Sequence, residues 1–284
     1  MIKNQKYHLA IILTNQCNLK CSYCYENNKQ RKTIPINLAK EAIAKHLNDE
    51  SYEEVVIDFF GGEPFLEFAA IKELCEWTWS QQWKAKYIFF ATTNGVLLHN
   101  EIKEWLRSHK KRIWVSLSLD GKRQSHNINR SNSFDLIDIN FFKECWPEQT
   151  VKMTISKETA PYIYENITYI HSLGFKITGT NFAEGLDWSD TSLKSIVVEQ
   201  LEKLCNYYIE HPDLEPVPLV NMRIYKCEEQ NVPHKWCGCG EHMVAIDTDG
   251  EEYPCTFFTP MSFSKKQLQE VKSINFFDTN LFIQ

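Results

Sequence analysis

Three cysteines, Cys17, Cys21 and Cys24, stand within eight positions in "CNLKCSYC". Thiolates ligate both zinc and iron–sulfur clusters. A structural zinc site is closed by four donors. Three thiolates can instead hold three irons of a four-iron, four-sulfur cluster and leave the fourth open to a substrate or cofactor. The nearest extra donor, His8, lies nine residues before Cys17 on an apolar run whose alternation does not favour it. The trio therefore points to an open, catalytic cluster ahead of a closed zinc site.

Four further cysteines, Cys227, Cys237, Cys239 and Cys255, gather near the C-terminus. Three readings stay open for them: an auxiliary iron–sulfur cluster, a zinc site using His234 or His242, and no metal. Cys237 and Cys239 are only two positions apart, which makes joint ligation of one cluster geometrically demanding. Cys75, Cys145 and Cys205 lie in helical stretches among apolar neighbours and are expected to be small buried hydrophobes.

The elements that must position these groups alternate between strand and helix. "YHLAIILT" (7–14) reads as a strand ending at the cysteine loop, "INLAKEAIAKHL" (36–47) as a helix, and "EVVIDFF" (54–60) as a buried strand stopped by Gly61-Gly62. Helix 65–79 and strand 87–95 continue the pattern. Helix 101–109, strand 113–121, helix 135–146, strand 150–156, helix 162–174, strand 175–182 and a helix at about 191–210 complete it. Six strands alternating with helices imply a parallel sheet that right-handed crossovers curl into a partial (β/α)6 TIM-like barrel. Strand ends carry the chemistry in such barrels. Here the cysteines, Gly61-Gly62-Glu63, Thr93-Asn94-Gly95 and Asp120-Gly121 each follow a strand. On the fifth strand, Lys152 or Thr154 is expected to face the site.

A proline-rich stretch, "HPDLEPVP" (211–218), marks a boundary, giving a core at 1–210 and a cysteine-bearing extension at 211–284. The extension includes a hairpin pattern, "MVAIDTDGEEYPCTFF", with Asp249-Gly250 at its turn, and the final stretch reads as a helix and strand packing on the barrel. The chain has 284 residues, 43% of them hydrophobic, and a net charge of −6. That balance argues against a nucleic-acid-coating protein. No window approaches the ~18 apolar residues of a membrane span, and no signal peptide is legible. A cytoplasmic protein with neither nucleic-acid nor membrane partner is expected, and there ten cysteines form a metal framework and buried thiols rather than disulfides.

C-x3-C-x2-C with an aromatic before its last cysteine, followed after the second strand by "GGEP" (61–64), resembles the radical S-adenosylmethionine superfamily. "TTNG" (92–95) and "SLSLDGKRQSHNINR" (116–130) are similar to its peptide-modifying branch, whose members carry SPASM or twitch extensions. Ser118, Asp120, Gly121, His126 and Arg130 match that pattern, while Asn127 replaces an Asp and leaves an ion pair with Arg130 in doubt. The resemblance implies that Cys17, Cys21 and Cys24 ligate the cluster and that S-adenosylmethionine chelates its open iron. Reductive cleavage then gives a 5′-deoxyadenosyl radical that takes hydrogen from an unactivated C–H bond. It further implies that Gly61 and Gly62 let backbone approach the methionine moiety, that Glu63 meets its ammonium, and that Tyr23 lies against the adenine. Asn94 and Ser118 become ribose or carboxylate contacts, and Arg130 a carboxylate or peptide contact. Asp120 is left between a ribose or substrate contact and a turn-capping carboxylate. His126 and Arg130 could equally lie on a solvated surface turn.

Cys239, ten residues, Gly250, four residues and Cys255 resembles the opening of the SPASM pattern, but no cysteine follows Cys255. A twitch-like extension with one auxiliary cluster fits better than a full SPASM domain. The resemblance implies a peptide maturase forming a crosslink, served by an electron donor such as flavodoxin or ferredoxin. With the cluster loop starting at residue 17, no winged-helix leader-binding domain is expected ahead of it, so the barrel, the C-terminal extension or a separate protein would have to bind any leader. An anaerobic sulfatase-maturating activity, a small-molecule twitch-type enzyme and a non-catalytic metal-binding adaptor are the alternatives.

Overall fold

The computed structural model describes residues 6–148, 151–175, 178–221 and 238–264, with 266, 267 and 269 beyond. Four parallel strands open the chain: β1 (Lys6–Thr14), β2 (Glu54–Gly61), β3 (Lys86–Thr93) and β4 (Ile113–Leu117). They lie side by side in the order β4-β3-β2-β1. The helices α1 (Ile36–Leu47), α2 (Phe68–Trp79) and α3 (Asn100–His109) make the crossovers between them. A short α4 (Arg123–Asn129) and α5 (Ile139–Cys145) lead to β5 (Val151–Ile155), and α6 (Ile163–Ser172) leads to β6 (Thr178–Phe182). β5 and β6 pair as a second parallel sheet, joined to the first by a bridge between Ser118 and Lys152. The result is the expected partial barrel.

Alternation along β2 shows how the sequence builds it. Val55, Ile57 and Phe59 are fully buried against the helices, whereas Val56, Asp58 and Phe60 face the lumen and are half-buried. Each fully buried side chain contributes roughly 1.5–3 kcal/mol, so a one-residue slip of register would invert the strand. The helix side is continuous with Ile43 and Leu47 of α1 and with Ile71 and Leu74 of α2. On β5, Lys152 and Thr154 share one face, as residues two apart on a strand must. Neither excludes the other.

α7 (Thr191–Glu210) starts where the Asp190 carboxylate accepts from Ser192 N at 2.9 Å and Leu193 N at 3.4 Å. Its apolar stripe runs through Leu193, Val197, Leu201, Leu204 and Tyr208. Cys205, one residue past that stripe, is exposed, contrary to the sequence expectation; Cys75 and Cys145 are buried as expected.

Beyond residue 238, β7 (Met243–Ile246) and β8 (Glu252–Tyr253) form the hairpin read from the sequence. β7 also pairs in parallel with β1, from His8 opposite Met243 to Ile11 opposite Ile246. The described part of the extension is thus built into the barrel sheet as its β1-side edge, a join that no local pattern announces. The expected terminal helix and strand fall largely outside the described residues. No described helix is long and apolar enough to cross a membrane.

Candidate active site

The loop after β1 carries Cys17, Cys21 and Cys24, all as free thiols. It lacks regular structure of its own, and the ends of other strands hold it. Gly62 N donates to Thr14 O at 3.0 Å and Glu63 N to Gln16 O at 2.8 Å. Asn94 Nδ2 donates to Asn18 Oδ1 at 2.8 Å. Lys20 N donates to Ser131 Oγ at 3.0 Å and Ser22 N to Asn129 O at 2.9 Å. Each of the motifs after β2, β3 and β4 therefore ties down one part of the cysteine loop.

The two glycines show why the motif is needed. A Cβ on Gly61, at φ +141°, would stand 2.3 Å from Thr14 O, and one on Gly62 would stand 2.2 Å from Gln16 O. What approaches them closely is the backbone of the cysteine loop itself. That is a different physical reason from the ligand approach inferred from sequence.

Glu63 is buried, and its carboxylate accepts from Thr93 Oγ1 at 2.7 Å, Asn94 N at 2.9 Å and Phe65 N at 3.1 Å. Burial raises its pKa against the pull of those three bonds. It joins the end of β2 to the end of β3 and caps the short helical turn that follows.

Asp120 is fully buried. Its Oδ2 accepts from Tyr23 Oη at 2.7 Å, Arg130 Nε at 2.9 Å and Asn129 Nδ2 at 3.1 Å, and its Oδ1 from Thr154 N at 3.0 Å. It lies beneath the cavity wall and joins the cysteine loop, α4 and β5, a role neither sequence alternative described. Arg130 is buried, with its guanidinium 5.5 Å from the Tyr23 ring centroid. Burial works against its charge, but the neighbouring Asp120 more than offsets this and raises its pKa. Its ion pair is with Asp120, which resolves the doubt raised by Asn127; the Asn127 side chain accepts from Phe134 N at 3.0 Å. His126 is likewise buried, its ring between Asp120 N and Ser133 Oγ, and burial pushes its pKa down to about 4. The solvated surface turn is therefore wrong for both residues.

These braces leave a cavity of about 260 Å³ at the C-terminal ends of the strands. Cys17, Cys21, Cys24, Tyr23, Gly61, Gly62, Glu63, Asn94, Ser118 and Arg130 all line it, as does Thr154; Asp120 does not. Sequence reasoning missed Phe60, Thr92, Tyr25, Glu26 and Lys29, and the Asn181–Glu184 stretch at the end of β6, all of which line it too. Phe60 and Thr92 were within reach, because strand alternation places them on the lumen face beside the motifs. Burial pushes the Cys21 thiol up to about 11, and it also raises Cys17 and takes Glu26 to about 7. The donor set fits an iron–sulfur cluster: three free thiols share one wall, each available to a separate iron. Among the described residues no three His, Cys, Asp or Glu side chains converge closely enough to hold a single metal ion. His8 lies about 20 Å of extended strand below the loop, too far to ligate with it.

In the extension, Cys239 and Cys255 are brought together: Cys239 hydrogen-bonds the Cys255 thiol and lowers its pKa to about 7. Cys227, Cys237 and His234 lie outside the described residues. Tyr25, one residue past Cys24, packs at a tilt against Phe257 with 5.4 Å between ring centroids, so the two cysteine regions abut.

A family described as a 4Fe-4S single cluster domain matches residues 8–137. The cysteine-type anaerobic sulfatase-maturating enzyme of Clostridium perfringens is 25% identical over 93% of this chain and 78% of its own length. The antilisterial bacteriocin subtilosin biosynthesis protein AlbA of Bacillus subtilis is 27% identical over 90% of this chain and 56% of its own length. The solved structure of native anSMEcpe with bound AdoMet and Kp18Cys peptide superposes with a TM-score of 0.71 at 19% identity, covering 93% of this chain and 80% of that one. Cysteine loop, braces and comparisons agree: the chain is an enzyme similar over most of its length to radical S-adenosylmethionine proteins of the SPASM/twitch type, with a 4Fe-4S cluster domain matched over residues 8–137.

Proposed function

We propose that this enzyme modifies a ribosomally made peptide by hydrogen abstraction from an unactivated carbon and leaves a crosslink in it. The observation that carries the reading is the single cavity shared by three thiols, the Gly-Gly-Glu turn and a buried arginine. Cys17, Cys21 and Cys24 would hold the cluster, which with S-adenosylmethionine supplies the hydrogen-abstracting carbon. Arg130 spends its Nε on Asp120 and keeps its other guanidinium donors, which suit a carboxylate. Asn94 and Ser118 offer neutral hydrogen-bonding groups to ribose or to the cofactor's amino-acid end. Tyr23, its hydroxyl fixed on Asp120, presents a ring of set orientation. The residues from 211 onward would form the twitch-like extension, with Cys239 and Cys255 among the ligands of an auxiliary cluster, completed by Cys227 and Cys237. A flavodoxin or ferredoxin would donate the electron, and a separate protein could bind a leader.

A second reading, oxidation of a sulfatase cysteine to formylglycine, is favoured by the similarity to the Clostridium enzyme along nearly the whole chain. One experiment separates them. Reconstituted enzyme, reductant and S-adenosylmethionine are incubated anaerobically with short peptides encoded beside the gene and with a sulfatase-type cysteine peptide. A crosslink removes two hydrogens, whereas formylglycine removes two hydrogens and also exchanges sulfur for oxygen; unchanged masses throughout would refute both. Cys21→Ala should lose S-adenosylmethionine cleavage. Cys255→Ala should keep cleavage and lose product, and wild-type behaviour there would remove the auxiliary role.

A further inference from the structure

One carboxylate in the barrel is used by nothing described so far. Asp58 lies on the lumen face of β2, two residues below Phe60, hence about 7 Å beneath the cavity lining. Its register places it opposite Ala10 on β1 and Phe90 on β3, and Phe90 is in turn opposite Trp114 on β4. This row is otherwise apolar. Asp58 Oδ1 is sealed from solvent and has no hydrogen-bond partner among the described residues. An acceptor left this way costs about 1–3 kcal/mol, which a folded chain keeps only where something else meets the group. Lys152, on the facing β5, is the cation that acts on it. The titratable groups on this face of β1 are His8 and Lys6; burial, Lys6 and Lys152 lower the His8 pKa. Tyr253 ends the same row on β8, beyond Ala245. Trp114 is 41% exposed and Lys152 is exposed, so the lumen is open on the β4–β5 side of Asp58.

Either modification proposed above begins with the same deficit. Joining a carbon to a sulfur, oxygen or nitrogen of the substrate breaks one C–H and one X–H bond and forms one C–X bond. Oxidising a cysteine breaks its Cβ–H and S–H bonds and turns C–S into C=S, which water then hydrolyses. The hydrogen atom leaves to the adenosyl carbon of S-adenosylmethionine. One electron leaves to a one-electron acceptor, an oxidised iron–sulfur centre. One proton remains, and it needs a base in reach of the substrate. We propose that Asp58 is that base: it accepts a hydrogen bond from the substrate X–H group entering the lumen and takes its proton as the C–X bond forms. This rests on the peptide-oxidising reading of the cavity. Burial holds the Asp58 pKa up to about 7, where a general base works best near neutrality. Lys152 stabilises the carboxylate before it takes the proton.

The test uses two readouts, the first of which needs no substrate. Infrared titration of the full-length protein should show protonated carboxyl absorption that disappears near neutral pH, with the Asp58 share of it missing from Asp58→Asn and the Glu26 share remaining. An Asp58 share absent already at mildly acidic pH would overturn the proposal. The second uses whichever peptide of the panel the wild type modifies, deuterated at the attacked carbon. Asp58→Asn should form 5′-deoxyadenosine within about threefold of wild type while product falls about 100-fold or more, with the deuterium carried into 5′-deoxyadenosine and the peptide radical quenched by reductant and a solvent proton, so that unmodified peptide is recovered with hydrogen in its place. Asp58→Glu should recover part of the product, which guards against a folding defect. Unchanged product per 5′-deoxyadenosine, or parallel loss of both, would overturn the assignment. Failure of the wild type to modify any peptide would instead refute the functional reading, with the carboxyl titration still deciding whether Asp58 is poised as a base.

Discussion

The rim of the barrel and its lumen treat buried carboxylates in opposite ways. At the rim, Asp120 accepts four hydrogen bonds, one of them from the cysteine loop itself, and Glu63 accepts three. In the lumen, Asp58 has an oxygen with no donor among the described residues. Satisfied groups of this kind fix geometry, and an unsatisfied one is free to meet a ligand. The contrast teaches that the motif residues most prominent in the sequence chiefly build the loop that holds the cluster. The group left for substrate lies three residues upstream of the Gly-Gly-Glu turn.

The sharpest way to break the comparison is to unbalance the rim. Asp120→Asn would leave Arg130 buried without its carboxylate, a change that costs about 3–5 kcal/mol. Denaturant unfolding should show a loss of that size, together with weaker retention of iron because Tyr23 is released. A loss below about 1 kcal/mol would mean that the Asp120 bonds are not structural. Glu63→Gln is milder: one amide N–H₂ must face a donor, Thr93, Asn94 or Phe65, and the cost is about 1–3 kcal/mol. If Glu63→Gln proved neutral in stability yet abolished S-adenosylmethionine cleavage, the residue would belong to the cofactor rather than the scaffold.

Much of this was legible because parallel strands announce themselves. β2 follows an apolar run and stops at a glycine pair, and the helix 36–47 was read to the residue. The cysteine loop and its glycine turn were legible from spacing alone. What escaped was contact across the chain. Asp120 meets Tyr23 from nearly a hundred residues away, and no local pattern chooses that partner over a turn cap. α4 was hidden inside a segment read as a site loop, since "RQSHNIN" has no apolar stripe to mark it. β7 joining β1 was equally invisible: a four-residue strand does not state which edge it completes. Asp58 was read as one residue of an apolar strand, and only its unpartnered oxygen sets it apart.

The smallest expected effect is also the one whose sign discriminates. The folded-state pKa of Asp58 is raised to about 7, above an ordinary carboxylate's. Between about pH 4 and about pH 7 the folded chain therefore holds a proton that the unfolded chain has released, and stability must fall as pH rises through that window. Glu26, also raised to about 7, contributes in the same direction, so Asp58→Asn should lessen the slope without abolishing it. Thermal unfolding of the isolated protein from about pH 5 to about pH 8 reads this directly. The buried histidines, His126 above all, act in the opposite sense below about pH 6.5, so the difference between the two proteins is the readout: Asp58→Asn should gain stability relative to wild type as pH rises, ending the more stable of the two at the alkaline end. The reverse order, with Asp58→Asn losing stability most at alkaline pH, would mean that Lys152 pairs tightly with an ionised Asp58. In that case the lumen carboxylate would be as satisfied as those at the rim, and the contrast between the two regions would fail.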